Sequence, residues 1–290
     1  MKWVQFIERA DPARKLRLGA LSGDGSFVYA AEDGLTMKEF ISRCEKEPAL
    51  ASRAPEGGSR YPIEEVRLAA PIHDPEKMIF IGLNYVDHAS ESKMAIPKVP
   101  VLFPKFPNSI VGPEDDVVIP AEVKECDYEV ELAVVIGKTA KNVSREEALD
   151  YVFGYTIVND VSARDLQLTE GQWTRGKAID TFAPMGPVIV TRDELADPHV
   201  LDLSLALNGE KLQDSNTRHL IFDVPYLISF LSRTITLSPG DVISTGTPPG
   251  VGMGRDPQVW LQEGDVTEAY VQGIGTLRNG YVRERTPGKA

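Results

Sequence analysis

The chain has 290 residues, with 31 Lys and Arg set against 43 Asp and Glu, for a net charge of −12. That balance excludes a nucleic-acid surface, which needs a basic face, while 42% hydrophobic and 26% charged residues are ordinary for a globular protein and exclude a disordered or fibrous one. No apolar run approaches the roughly 18 residues that span a bilayer, so neither nucleic acid nor membrane is expected as a partner.

In chain order, "KWVQFIE", "RLGALS" and "FVYAAE" read as short strands and "TMKEFISRCEKE" as an amphipathic helix. The start, "MKWVQFIERA", has no signal-peptide h-region and reads as structure; Glu8 and Asp11 also make it a poor transit peptide. Pro, Gly and Ser in "ASRAPEGGSRYP" suggest a loop or linker. We therefore expect a small β-rich N-terminal domain over 1–70 and a larger domain over 71–290. In the latter, Ser144 and Glu147 form a capping-box signature ahead of a short helix, and "FGYTIVND" reads as a strand ending at Asp160. "LSLALNGEKLQ" is a hairpin turning at Asn208 and Gly209, "DVPYLISFLSRTI" a helix, "DVISTGT" a strand, and "LQEGDVTEAYVQGIGTLRNGYVR" the closing strands. Many strands with few, non-alternating helices predict an α+β fold on a curled mixed sheet. Cys44 and Cys126 form neither a framework nor a CxxC motif, so a reducing, cytoplasmic compartment is expected. A mitochondrial location stays open if a transit peptide lies outside this sequence.

The stretch "ECDYEVELAVVIGK" carries the main chemical signal. Glu129 and Glu131, two apart on a strand, share one face where a buried run begins. Such a pair needs a cation. With Asp160 at the end of another apolar strand, three carboxylates form an oxygen-only set suited to Mg²⁺ or Mn²⁺, with Ca²⁺ a further choice, over Zn²⁺ or Cu²⁺. The same spacing also fits an exposed strand whose acids pair with surface Lys or Arg. His88 and Glu91, three apart in "DHASE", would be neighbours on a helix, as a general base and its orienting carboxylate are. They also fit a solvated helix with an incidental histidine. Arg164, Gln167 and Lys177 could offset the acids and grip a substrate carboxylate, or be surface residues. "STGTPPGVGMG" carries hydroxyls at Thr245 and Thr247; it is not a phosphate-binding loop, because no Gly-Lys-Ser/Thr follows.

Taken together, "IGLNYVDHASE", "VLFPKFPNSIVGP", "DYEVELAVVIGK", "GYTIVNDVSARDLQ", "RGKAIDTFAPMGP" and "ISTGTPPGVG" strongly resemble, in order, the fumarylacetoacetate hydrolase superfamily. Within it the likeness is to the animal fumarylacetoacetate hydrolase domain-containing proteins of the second type. The resemblance implies Mg²⁺ or Mn²⁺ held by Glu129, Glu131 and Asp160, and a lid pair in His88 and Glu91. It also implies roles for Arg164, Gln167, Lys177 and Thr247 in binding substrate, with Lys177 catalytic as well. A homodimer acting on a small 2-oxo acid is the expected assembly and substrate class. Such an acid can chelate the metal and react through an enolate. The second type implies oxaloacetate keto–enol tautomerisation; decarboxylation, acylpyruvate or fumarylacetoacetate C–C hydrolysis, and isomerisation of hydroxymuconate-type diacids share that enolate. A catalytically silent metal-binding protein would be marked by loss of site residues, all of which are present.

Overall fold

The computed structural model describes residues 1–55, 57–86, 91, 96–169 and 171–285. Its architecture follows from two strands, Val130–Ile136 and Val152–Asn159, in which every residue is buried. A strand buried on both faces must carry apolar side chains at odd and even positions alike. Here "VELAVVI" does so: Leu132, Val134 and Ile136 enter one core, and Ala133 and Val135 enter the other. The two strands pair antiparallel in the register Val130↔Asn159 to Ile136↔Val152.

Around them runs a twelve-stranded sheet among the described residues. Its main path is Arg60–Pro62, Phe27–Ala30, Leu16–Leu21, Lys2–Glu8, Ala183–Thr191, Val152–Asn159, Val130–Ile136, Val242–Ser244, Met78–Gly82 and Val101–Lys105. The N-terminal strands join through Lys2↔Val190 and Trp3↔Ile189. The stretch expected to be a loop ends in a true edge strand, Arg60–Pro62, paired with Phe27–Ala30. Its polar composition is that of a strand with one exposed side.

The helix Met37–Lys46 is set by a capping box between Thr36 and Glu39 and buries Met37, Phe40, Ile41 and Cys44, a one-face stripe, against the second core. On the opposite side, a five-stranded sheet of Glu210–Asn216, Asp202–Leu207, Val266–Val271, Gly275–Arg283 and Val117–Ile119 covers the first core. Asn208 and Gly209 make the expected two-residue turn, both with positive φ. Ser144 and Glu147 bond to each other, and the short helix after them is one 3-10 turn, Ala148–Tyr151. The few helices and mixed sheets are the expected α+β fold.

Candidate active site

The site grows from the register of the two central strands. Pairing Val130 with Asn159 leaves Glu129 and Asp160 at the same end of the sheet, where the Asp160 amide donates to the Glu129 carbonyl at 2.8 Å. The Asn159 side chain fixes that end: its Oδ1 accepts from the Glu129 amide at 2.9 Å, and its Nδ2 donates to the Tyr281 hydroxyl at 3.0 Å. One ligand oxygen from each of Glu129, Glu131 and Asp160 lies within 4.8 Å of the others, and all three residues are buried. The thirty residues between Glu129 and Asp160 are thus closed by one antiparallel pair.

Three buried cations face these acids. Lys177 donates to Glu129 Oε2 and Asp160 Oδ2, each at 2.7 Å. Arg164 Nη2 donates to Glu129 Oε1 at 2.5 Å and also meets Asp127 at 2.8 Å. Lys105 Nζ lies 2.5 Å from Asp160 Oδ1 and donates to the carbonyls of Val161 and Phe182. Burial alone would lower Lys177, but Asp160 and Glu129 hold it above its ordinary value. Lys105 goes the other way: burial outweighs Asp160 and brings it down to about 8.

Asp127, Glu129, Glu131 and Asp160 thus meet three cations, leaving one carboxylate in excess. Glu131 carries the excess. Its Oε2 accepts from the Ser244 hydroxyl at 2.5 Å and the Gly246 amide at 3.0 Å, both neutral donors. Burial, then Asp160 and Glu129, push its carboxyl well above the usual range. A buried all-oxygen set short of positive charge fits a hard divalent cation, so the donor chemistry agrees with the expected group.

The loop after Val242–Ser244 forms the roof. Gly246 has φ 102°, and a Cβ there would meet Asn84 Cβ at 2.7 Å, so only glycine brings this amide onto Glu131. The Thr247 hydroxyl donates to the Val130 carbonyl at 3.0 Å and accepts from Gln213 Nε2 at 2.9 Å. Farther along, the Gly250 amide donates to the Glu91 carboxylate at 2.9 Å. Glu91 therefore sits against this roof; His88 lies outside the described residues.

Glu129, Glu131, Arg164, Gln167, Lys177 and Thr247 line one pocket, whose lining also includes the apolar side chains of Leu83, Phe103, Leu168, Trp173 and Met253. Such a pocket can hold a small anion against the charged floor and an apolar tail against these side chains. Arg164 is less free than a substrate grip would be, being bonded to Asp127, Glu129 and Gln167.

Sequence reasoning missed four supporting residues: Lys105, Asp127, Gln213 and Asn84. Lys105 had a usable signal, because in "VLFPK" it shares a strand face with buried Phe103 and so points inward. Gln213 had none; it reaches from the second sheet to accept the Val130 amide at 2.9 Å. Asn84, which binds both the amide and the carbonyl of Phe222 and the Thr245 carbonyl, joins segments far apart in the chain.

Residues 77–282 match the family model for the fumarylacetoacetate hydrolase C-terminal region. Over 97% of this chain and 92% of the relative, the sequence is 46% identical to a Rattus norvegicus protein named oxaloacetate tautomerase Fahd2a, mitochondrial. Among solved structures, a fumarylacetoacetate hydrolase from Exiguobacterium antarcticum superposes with a TM-score of 0.85 at 39% identity, covering 98% of this chain and 100% of that one. A maleylpyruvate hydrolase from Sphingobium sp. SYK-6, solved with manganese(II) and pyruvate, gives 0.81 at 32% identity over 98% of this chain and 100% of that one.

Proposed function

This chain belongs to the fumarylacetoacetate hydrolase family, and from that premise we propose that it is a divalent-metal-dependent oxaloacetate keto–enol tautomerase. The observation that carries the reading is the uncompensated carboxylate at the pocket floor. Glu131 meets only neutral hydrogen-bond donors among the described residues, beside acids that are already paired. The 46% identity to a named oxaloacetate tautomerase supports the choice of reaction.

In this reading Glu129, Glu131 and Asp160 hold Mg²⁺ or Mn²⁺. Such an ion would supply Lewis acidity toward the keto oxygen of a 2-oxo acid. The remaining work belongs to the chain. Lys177 holds a proton at Nζ between Glu129 and Asp160 and is the group proposed to exchange it with the substrate oxygen. His88 is the group proposed to move the proton at the adjacent carbon. Gln167, Thr247 and what is unspent of the Arg164 guanidinium orient the carboxylates. The apolar lining keeps bulk water from the substrate. We further propose a homodimer in a reducing compartment, with Cys44 and Cys126 as free thiols.

The test is Glu131→Gln, with Mn²⁺ binding followed by calorimetry and oxaloacetate tautomerisation by ultraviolet absorbance. Metal binding and activity should both disappear while the metal-free protein stays folded, because the substitution removes a ligand and relieves carboxylate repulsion. Unchanged Mn²⁺ affinity would sink the three-carboxylate site.

A second reading, C–C hydrolysis of acylpyruvates, is favoured by the apolar lining of Leu83, Phe103, Leu168, Trp173 and Met253, which suits an alkyl tail. His88→Ala separates the two. Hydrolysis, which needs an activated water, should fall by about 10² to 10⁴, and tautomerisation by less. An equal fall in both makes His88 the shared proton-transfer group.

A further inference from the structure

Asp127 lies outside the carboxylate triad, yet its carboxylate is fully buried and its bonds reach both the floor and the roof of the pocket. Its Oδ1 accepts from the amides of Tyr128 at 2.8 Å and Gly252 at 2.7 Å. Its Oδ2 accepts from the Met253 amide at 3.1 Å and from Arg164 Nε at 2.9 Å, with Arg164 Nη2 at 2.8 Å. The same Nη2 reaches Glu129 Oε1 at 2.5 Å, and Nη1 donates to Gln167 Oε1 at 2.9 Å. Gly252 is confined: an added Cβ would lie 1.9 Å from the Val259 carbonyl oxygen and 2.7 Å from Asp127 Oδ1. Backbone closes the same unit, since Cys126–Asp127 pairs with Ser162–Ala163 and the Arg164 amide donates to the Glu125 carbonyl at 2.9 Å.

We propose that Asp127 is a positioning residue of this site, holding Arg164 against Glu129 and tying the Gly252–Met253 roof to the segment that carries Glu129 and Glu131. The inference rests on the metal-site reading above. Arg164 is the strut. Shared between Asp127 and Glu129, its charge is balanced from two sides, and Glu129 keeps an oxygen directed at the triad. Without the Asp127 charge, the guanidinium is neutralised by Glu129 alone and draws that carboxylate away from Glu131 and Asp160. An Asn in its place adds a further defect. Donors approach both Asp127 oxygens, so the amide NH₂ must face either backbone N–H groups or the guanidinium. Met253, which lines the pocket, shifts with the roof.

The experiment compares wild type, Asp127→Asn, Arg164→Gln and the double variant, reading Mn²⁺ affinity by calorimetry, kcat and KM for oxaloacetate, and the Tm of metal-free protein. Partners beyond the direct ligands are commonly worth about 10 to 100-fold in metal affinity or activity. Asp127→Asn should lose that much in Mn²⁺ affinity and in kcat, with a smaller change in KM. Because Asp127 acts through Arg164, the double variant should bind Mn²⁺ no more weakly than Arg164→Gln alone. A purely structural Asp127 would lower Tm and leave the Mn²⁺ affinity of the folded protein intact, and that result overturns the proposal, as does strict additivity in the double variant. Should Asp127→Asn fail to fold, Arg164→Lys carries the test. It keeps the charge but cannot span Asp127 and Glu129 together, so a roughly tenfold loss of Mn²⁺ affinity is expected and an unchanged affinity refutes the strut. Wild-type protein that binds no Mn²⁺ overturns the metal reading and this inference together; wild-type binding with an unaltered Asp127→Asn overturns the inference alone.

Discussion

Ion pairs occur in two regions of this molecule, and the same chemistry has different consequences in each. In the N-terminal region, Asp33 pairs with Arg17 at 3.0 Å and Lys15 at 3.2 Å, and Arg43 pairs with Glu32 at 2.8 Å; the Asp33 side chain is 70% exposed. At the site, Lys177 and Lys105 meet Asp160 with side chains 2% and 0% exposed, around a carboxylate that is 0% exposed. Distances alone would rank the regions as equals. Water decides otherwise. Exposed pairs exchange one well-solvated state for another, whereas each buried ion has lost its hydration and depends on its partners. The lesson is that burial, not separation, distinguishes charges that place functional groups from charges that decorate a surface.

The largest effect expected to sharpen this contrast is Lys177→Met. It leaves Glu129 and Asp160 short of a cation in a dry site, so metal-free protein should lose about 3 to 5 kcal/mol in denaturant unfolding. Tautomerase activity should fall by roughly 10³, the range for a proton-transfer group. Saturating Mn²⁺ should restore part of the stability, because the ion replaces the lost positive charge. A Tm like that of wild type would remove the argument from burial.

Lys105→Met should cost less, near the lower end, about 3 kcal/mol, with a smaller loss of activity because Lys105 does not line the pocket. The opposite pKa shifts of the two lysines give the order. Lys177 is held above its ordinary value, so its surroundings favour the charge; Lys105 is depressed to about 8, so burial penalises its charge more than Asp160 rewards it. The sign with pH follows. Between about 8 and the ordinary 10.5, the unfolded chain binds the Lys105 proton more tightly than the folded one, so metal-free wild type gains stability as pH rises through that window. Lys105→Met should abolish that slope. A slope that survives the substitution assigns it to another group.

How much of this could be read from the sequence depended on how far each residue's partners lie along the chain. The strand carrying Glu131 was legible from its unbroken apolar run, as was the strand leading to Asp160, because period and hydrophobicity are local properties. Their meeting was not, since it depends on the pairing of Val130 with Asn159. Glu91 was read as a partner for His88, and the structure adds a contact no spacing encodes, the Gly250 amide on its carboxylate. Arg164 was read as a grip for substrate, yet most of its donors go to Asp127, Glu129 and Gln167. A guanidinium's partners are set by tertiary geometry, and "VSARDLQ" shows only that it is near Asp160. Asp127 was overlooked because an acid beside an E-x-E pair looks like one more surface charge. Its burial comes from the Gly252–Met253 turn, more than a hundred residues away.

The smallest effect is the control on which the comparison stands. Asp33→Asn removes an acid that both Arg17 and Lys15 approach, so a count of ion pairs predicts a loss comparable to that of Lys105→Met. The burial argument predicts under about 1 kcal/mol, because an exposed pair gains little over its hydrated parts. What loss there is should vanish in about 1 M salt, where the screening length is near 3 Å. Mn²⁺ affinity and kcat should match wild type, since neither Arg17 nor Lys15, the partners of Asp33 among the described residues, lines the pocket. Equilibrium unfolding in low and high salt measures both parts. A salt-independent loss of several kcal/mol would mean that separation matters as much as burial, and the ranking of Lys177 above Lys105 above Asp33 would have to be rebuilt on distance.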